Sequence, residues 1–178
     1  DETTLARDYA YLEKYVGIDK VYLETYRDGT WVAIDHMKMI QNFFKEHGVE
    51  IAGGITTVTP PLKKDDAKRQ RLFQTFCYSN ETMRTYLKKI VTYTAELFDE
   101  IILDDFFFTS CTCDDCLRER SNLSWAEFRS NKMIDVAENL VLKPAKLANP
   151  SVKVTIKYPN WRESYHETGY VPKIQPSM

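Results

Sequence analysis

This chain is short of the features that mark a membrane span, a nucleic-acid surface or a nucleotide pocket. No run approaches the roughly 18 apolar residues that a membrane helix needs, and the opening stretch "DETTLARDYA" is polar and unlike a signal peptide. The first residue is Asp1 and not Met, which fits a processed or trimmed start and leaves localisation open between periplasmic or secreted and cytoplasmic. Charge of one sign is also lacking: 24 Lys and Arg are interspersed with 26 Asp and Glu, for a net charge of -2. That pattern gives no basic stripe and excludes a nucleic-acid partner. Only 6 residues are glycine, and no Gly-rich phosphate loop follows the first predicted strand, which disfavours the nucleotide-binding sheets. There is no internal repeat, low-complexity tract or Gly/Ser linker to divide the chain, so residues 1–178 read as one domain. The three histidines, His36, His47 and His166, are too scattered for a triad or a metal set.

What is present suits one sizeable core: 43% hydrophobic and 28% charged residues. Aromatics reach 13%; most belong to that core, and the surplus suits stacking against the apolar faces of sugar rings. Helix and strand patterns alternate. Leu5, Tyr9, Leu12 and Val16 share a helical face that Gly17 ends. "KVYLETY" reads as a buried strand, and Asp35 as the cap of a helix lined by Met37, Ile40 and Phe44 and stopped at His47 and Gly48. "VEIAGGITTV" is a second strand. After a charged connection, a helix follows with Met83, Leu87, Ile90, Val91 and Phe98 at the 3.6-residue period. "EIILDDFFF" is a third strand, apolar enough to be covered on both faces. Ser124 and Glu127 form a capping box opening a helix to about Lys146, and "VKVTIKY" is a fourth strand.

This order predicts an α/β fold of parallel βα repeats. A complete (β/α)8 barrel usually needs ~250 residues, and four strands make about half of one; the alternative is an open doubly wound parallel sheet. Both architectures gather chemistry at strand C-terminal ends, where Glu24, Arg27, Thr56, Thr57, Asp104, Asp105, Asn160 and Trp161 lie.

Two groups carry candidate chemistry. Cys111, Cys113 and Cys116 form Cys-x-Cys-x-x-Cys, and Cys77 is the fourth and last cysteine. That count closes a structural tetrahedral zinc site, with a disulfide through Cys77 or buried thiols as the alternatives. Asp104 and Asp105 are adjacent, and neighbours on a regular strand point to opposite faces, so only one faces a pocket. Beside Phe106, Phe107 and Phe108, that carboxyl would have its ionised form disfavoured, as a general acid requires. Glu24 either serves the pocket or pairs with Arg27, and Trp161 either stacks on a sugar or caps the core. Asp104 and Asp105 could alternatively hold Mg²⁺.

The run from "FCYSNETMRTYLKKIV" through "EIILDDFFFTSCTCDDCLRERSNLSWAEFR", together with "GITTVTPP", resembles glycoside hydrolase family 42, the β-galactosidase barrels. The resemblance covers roughly residues 20 to 160. It implies a glycosidase acting on O-glycosidic bonds of oligo- or polysaccharides, with the strands here as barrel strands two to five. It assigns Cys77, Cys111, Cys113 and Cys116 to zinc, Asp105 to the acid/base position and Asp104 to the residue that holds a sugar hydroxyl. The sequence departs in having Asp-Asp where that family has Asn-Glu. The expected nucleophile would come from a strand beyond Met178, and Glu24, Arg27, Asn160 and Trp161 would contact substrate. A non-catalytic carbohydrate-binding barrel or a zinc-stabilised interaction domain is the rival expectation.

Overall fold

A computed structural model of the chain describes residues 1–59, 72–157 and 168–169. Its elements are α1 (Glu2–Tyr15), β1 (Lys20–Arg27), β2 (Thr30–Trp31), α2 (Ile34–Glu46), β3 (Glu50–Ile55), α3 (Glu81–Leu97), β4 (Glu100–Leu103), α4 (Asp114–Arg120), α5 (Trp125–Val136), α6 (Lys143–Ala148) and β5 (Lys153–Ile156). Each expected strand is present. The cap of α2 is different: Ala33 stands at its N-terminus without a side-chain bond, and Asp35 lies inside the first turn. Helix α3 is capped by Asn80, whose side chain accepts from the Met83 amide. The Ser124–Glu127 capping box forms reciprocally. A π-helical stretch, Ala137–Leu142, joins α5 to α6, and it is followed by Pro144, whose missing N–H disturbs the regular helical ladder.

The sheet order is β2-β1-β3-β4-β5, and all pairs are parallel except β1 with β2. Asp28 and Gly29 both take positive φ, 51° and 82°, so β1 turns into β2 through a two-residue hairpin of the mirror-image kind. The four parallel strands run in chain order without reversal. Their helices share one layer: Gln41 of α2 donates to the Leu97 carbonyl of α3, and α3 packs on α6. A doubly wound sheet reverses its strand order and covers both faces; consecutive order with helices on one side is the arc of a barrel.

The helix-facing side of the arc is apolar. Ile55, Ile101, Leu103 and Val154 are buried there with Leu87, Ile90, Val91 and Ala95 of α3. Gly53 is needed for this approach, because a Cβ at that position would sit 2.6 Å from Thr94 Cγ2 and 2.8 Å from Phe98 Cδ2. The opposite, concave side is polar. Lys20 donates to Glu100 at 2.7 Å and the Tyr22 hydroxyl to the same carboxylate at 3.2 Å. Ile102 on that side is only half-buried, so β4 is covered fully on one face and not on two. It is also shorter than the sequence suggests. The ladder stops at Leu103, and Asp104 opens a turn that its carbonyl closes by accepting from the Phe107 amide at 3.1 Å.

Candidate functional site

The C-terminal ends of the parallel strands meet in a polar cluster. Glu24 reaches it by the ordinary alternation of β1, on the same face as Lys20 and Tyr22, and the register with β3 shifts only beyond it, between Glu24 and Tyr26. Thr25 and Tyr26 then both turn to the helix layer, where Thr25 Oγ1 lies 2.6 Å from Thr94 Oγ1 and the Tyr26 ring meets Tyr86 edge-on. The bulge thus re-aims Tyr26, which regular alternation would have put on the concave side with Glu24. Arg27 Nε and Nη2 donate to Glu24 Oε2 and Oε1 at 2.8 and 2.5 Å. Thr56 Oγ1, just past β3, lies 2.6 Å from both Glu24 Oε1 and Asp104 Oδ2. Arg27 Nη2 stands 4.0 Å from Asp104 Oδ2.

The two aspartates therefore separate, as adjacent residues on a strand would, although they lie in a turn. The Asp104 side chain is 20% exposed, and its Oδ1 accepts from the Phe106 amide at 3.1 Å. Asp105 is 34% exposed and faces Lys157 Nζ at 3.5 Å. The desolvation expected beside the phenylalanines is seen at Asp104: burial pushes its carboxyl above the usual range, and the Thr56 and Phe106 bonds only partly offset this. Burial also works on Glu24, yet the Arg27 and Thr56 bonds outweigh it and hold that carboxyl below its ordinary value. Glu24 thus forms the expected pair with Arg27, at the strand-end cluster. Asn160 and Trp161 lie outside the described residues. Lys157 escaped the sequence reading, and its only signal was position, one residue past a parallel strand. With Arg27 and Lys157 already facing the carboxylates, the cluster is a poor holder for Mg²⁺, which prefers several oxygen ligands and its own waters.

The cysteines form a second cluster on the loops leaving β3 and β4. Cys77 precedes α3 and accepts through its carbonyl from the Asn80 amide, while Cys113 stands at the N-terminus of α4 and Cys116 one turn along. Asp114 and Asp115 thus sit in the first turn of a helix. The sulfurs of Cys77, Cys113 and Cys116 lie 3.6, 3.7 and 3.8 Å apart, and the four cysteine ligand atoms all fall within 4.8 Å of one another. All four are free thiols, three of them buried, so the disulfide alternative falls. Tetrahedral zinc with Zn–S near 2.3 Å has sulfur–sulfur edges of about 3.8 Å; the donor set fits a metal. Hydrogen bonds from Cys116 and Cys77 favour the thiolate of Cys111, and those same contacts with Cys111 push Cys77 and Cys116 up. One ready thiolate beside two reluctant thiols is a set that a bound cation would complete. Phe128 is buried against the cluster, with Trp125 alongside.

A cleft of about 500 Å³ on the helical side is lined by Tyr78, Ser79, Glu81, Arg84, Lys132 and Asp135, among others. Its charges pair internally, Arg84 with Asp135 at 2.8 Å and Lys132 with Glu119, and it is separate in character from the strand-end cluster.

A family model described as "Probable glycosyl hydrolase, catalytic domain" matches residues 1–178. The chain belongs to this glycosyl hydrolase family. An uncharacterized protein of Saccharolobus solfataricus is 32% identical to this glycosyl hydrolase domain, over an alignment that takes in 88% of the chain and 30% of that protein. In fold the domain is similar to alpha-L-fucosidase isoenzyme 2 from Paenibacillus thiaminolyticus, with a TM-score of 0.62 at 12% identity, covering 85% of this chain and 29% of the fucosidase chain. The chain thus spans about 30% of the curated relative it matches. Among the described residues no helix is long and apolar enough to cross a membrane.

Proposed function

We propose that this chain is the part of a glycoside hydrolase that presents the first catalytic carboxyl to an O-glycosidic bond of an oligo- or polysaccharide, with the remaining strands of the barrel and the second carboxyl lying outside it. The observation that carries the reading is the placement of Asp105: partly exposed and facing Lys157, beside a second carboxyl locked into hydrogen bonds. Glycosidases divide their work between a proton donor and a carboxylate that attacks the anomeric carbon or activates water. The family 42 likeness assigns Asp105 the acid/base role. The ion pair with Lys157 favours the other one, because a carboxylate held by a cation is suited to face a developing oxocarbenium charge. Glu24 and Arg27 line the same mouth, and Asn160 and Trp161 are proposed substrate contacts on the segment after β5.

The cysteine cluster in this reading holds a structural zinc that joins the loop after β4 to the segment before α3. Its four thiol donors and sulfur spacing support zinc, and the shared Cys-x-Cys-x-x-Cys pattern supports the family 42 likeness.

The test is hydrolysis of chromogenic glycosides by the intact protein. Asp105→Asn should lower kcat by about 10²–10⁴-fold with folding preserved, and full activity in that variant would remove Asp105 from the reaction. Azide added to Asp105→Ala separates the roles: a glycosyl azide of inverted anomeric configuration marks the attacking carboxylate, and one of retained configuration marks the acid/base. A protein that binds oligosaccharide and hydrolyses none would be a carbohydrate-binding barrel.

A further inference from the structure

Thr56 has one hydroxyl proton and two carboxyl oxygens at 2.6 Å, Glu24 Oε1 and Asp104 Oδ2. A hydroxyl donates once and accepts elsewhere, whereas an ionised carboxylate only accepts. If both carboxyls were ionised, one of these contacts would set two acceptors at hydrogen-bond distance with no proton between them. Both contacts are satisfied together only when one carboxyl is protonated. From this geometry we propose that Glu24 and Asp104 hold a single proton between them through Thr56, making Asp104 a neutral positioning residue beneath Asp105.

The surroundings decide which carboxyl carries it. Arg27 grips both oxygens of Glu24 and stands only at 4.0 Å from Asp104. Asp104 is the less exposed side chain, 20% against 40% for Glu24. The chain of donors therefore runs from Asp104 Oδ2–H to Thr56 Oγ1, and from the Thr56 hydroxyl to Glu24 Oε1. The other Asp104 oxygen accepts from the Phe106 amide. The groups facing Asp104 are Arg27 and Glu24 from β1, Thr56 from the end of β3, the adjacent Asp105, and Tyr78 from the segment before α3. Burial holds the Tyr78 hydroxyl protonated, well above the usual phenol range, so it brings no charge. Lys157 completes the set through Asp105. Three carboxyls thus meet two cations, and the shared proton brings the cluster to neutrality. Two adjacent anions at Asp104 and Asp105 would repel. A neutral Asp104 removes that repulsion and fixes the turn from which Asp105 projects.

The consequence for Asp105 rests on the glycosidase reading; the shared proton does not. The experiment is infrared spectroscopy of the intact protein, without substrate, carrying carbon-13-labelled aspartate. A protonated-carboxyl band assigned to aspartate is expected at neutral pH, absent from Asp104→Asn and retained in Thr56→Ser. In Glu24→Gln the Thr56 hydroxyl becomes free to donate to Asp104, so the band should titrate away about one pH unit or more lower. No such band in the wild type, a band that survives in Asp104→Asn, or an unmoved midpoint in Glu24→Gln overturns the proposal. Because no substrate is present, its failure leaves the glycosidase reading standing. Loss of that reading in the hydrolysis assay leaves the band to be measured.

Discussion

The strand-end carboxyls and the four cysteines share the loop after β4 and solve opposite electrostatic problems. Glu24 comes from β1 and Asp104 and Asp105 from the turn after β4; they are partly wet and find their counter-charges in Arg27 and Lys157. The cysteines come together dry, with three of four buried and Phe128 packed against them. A cluster that carries its own cations is complete and free to meet a neutral ligand such as a sugar. A cluster of soft donors such as this could hold a metal, and its thiols would release their protons as the metal bound.

Chelation should break the comparison most strongly. If zinc is held at a thousandfold over its dissociation constant, it contributes about 4 kcal/mol, so its removal should lower the thermal midpoint by about 8–16 °C for a chain of this size. Elemental analysis should give one zinc per chain, and a metal-free protein with an unchanged midpoint would end the assignment. Next in size is Thr56→Val, which strips the shared hydroxyl from two carboxyls and should cost about 1–3 kcal/mol in urea unfolding; a loss confined to a few tenths would mean that the network is not coupled. The smallest effect sharpens the difference between the two carboxyls on Thr56. The lowered Glu24 adds stability above its ordinary value of 4.5 that is lost as pH falls through the folded value. The raised Asp104 does the reverse, contributing stability at low pH that declines as pH climbs from 3.8 through its folded value. Thermal midpoints across the acid range should therefore fall more steeply on acidification in Asp104→Asn than in the wild type, and parallel curves would remove the opposition.

The fold was legible where periodicity was strong. The apolar face of α3, the Ser124–Glu127 box and the four strand cores all appear where the pattern puts them. The hairpin at Asp28 and Gly29 carries the usual Asp-Gly signal for a tight β-turn but escapes notice because β2 is only two residues long. Helix α4 is hidden by its cysteines, which read as loop chemistry although Cys113 opens a helical turn. The end of β4 was misjudged for a related reason. Three phenylalanines look like strand, yet Asp104 accepts the Phe106 amide and its carbonyl accepts the Phe107 amide, and those local bonds compete with the ladder.

By itself the sequence determined the α/β class, the four cysteines as one donor set, and the strand-end location of Glu24, Arg27, Asp104 and Asp105, because these follow from spacing and from where parallel strands end. Only the tertiary structure decided that the strands form a singly covered arc, that a bulge turns Tyr26 into the helix layer, and that Asp104 is bound by Thr56 and the Phe106 amide while Asp105 meets Lys157. Those outcomes depend on contacts between residues 32 to 78 positions apart, whose distances no local pattern encodes.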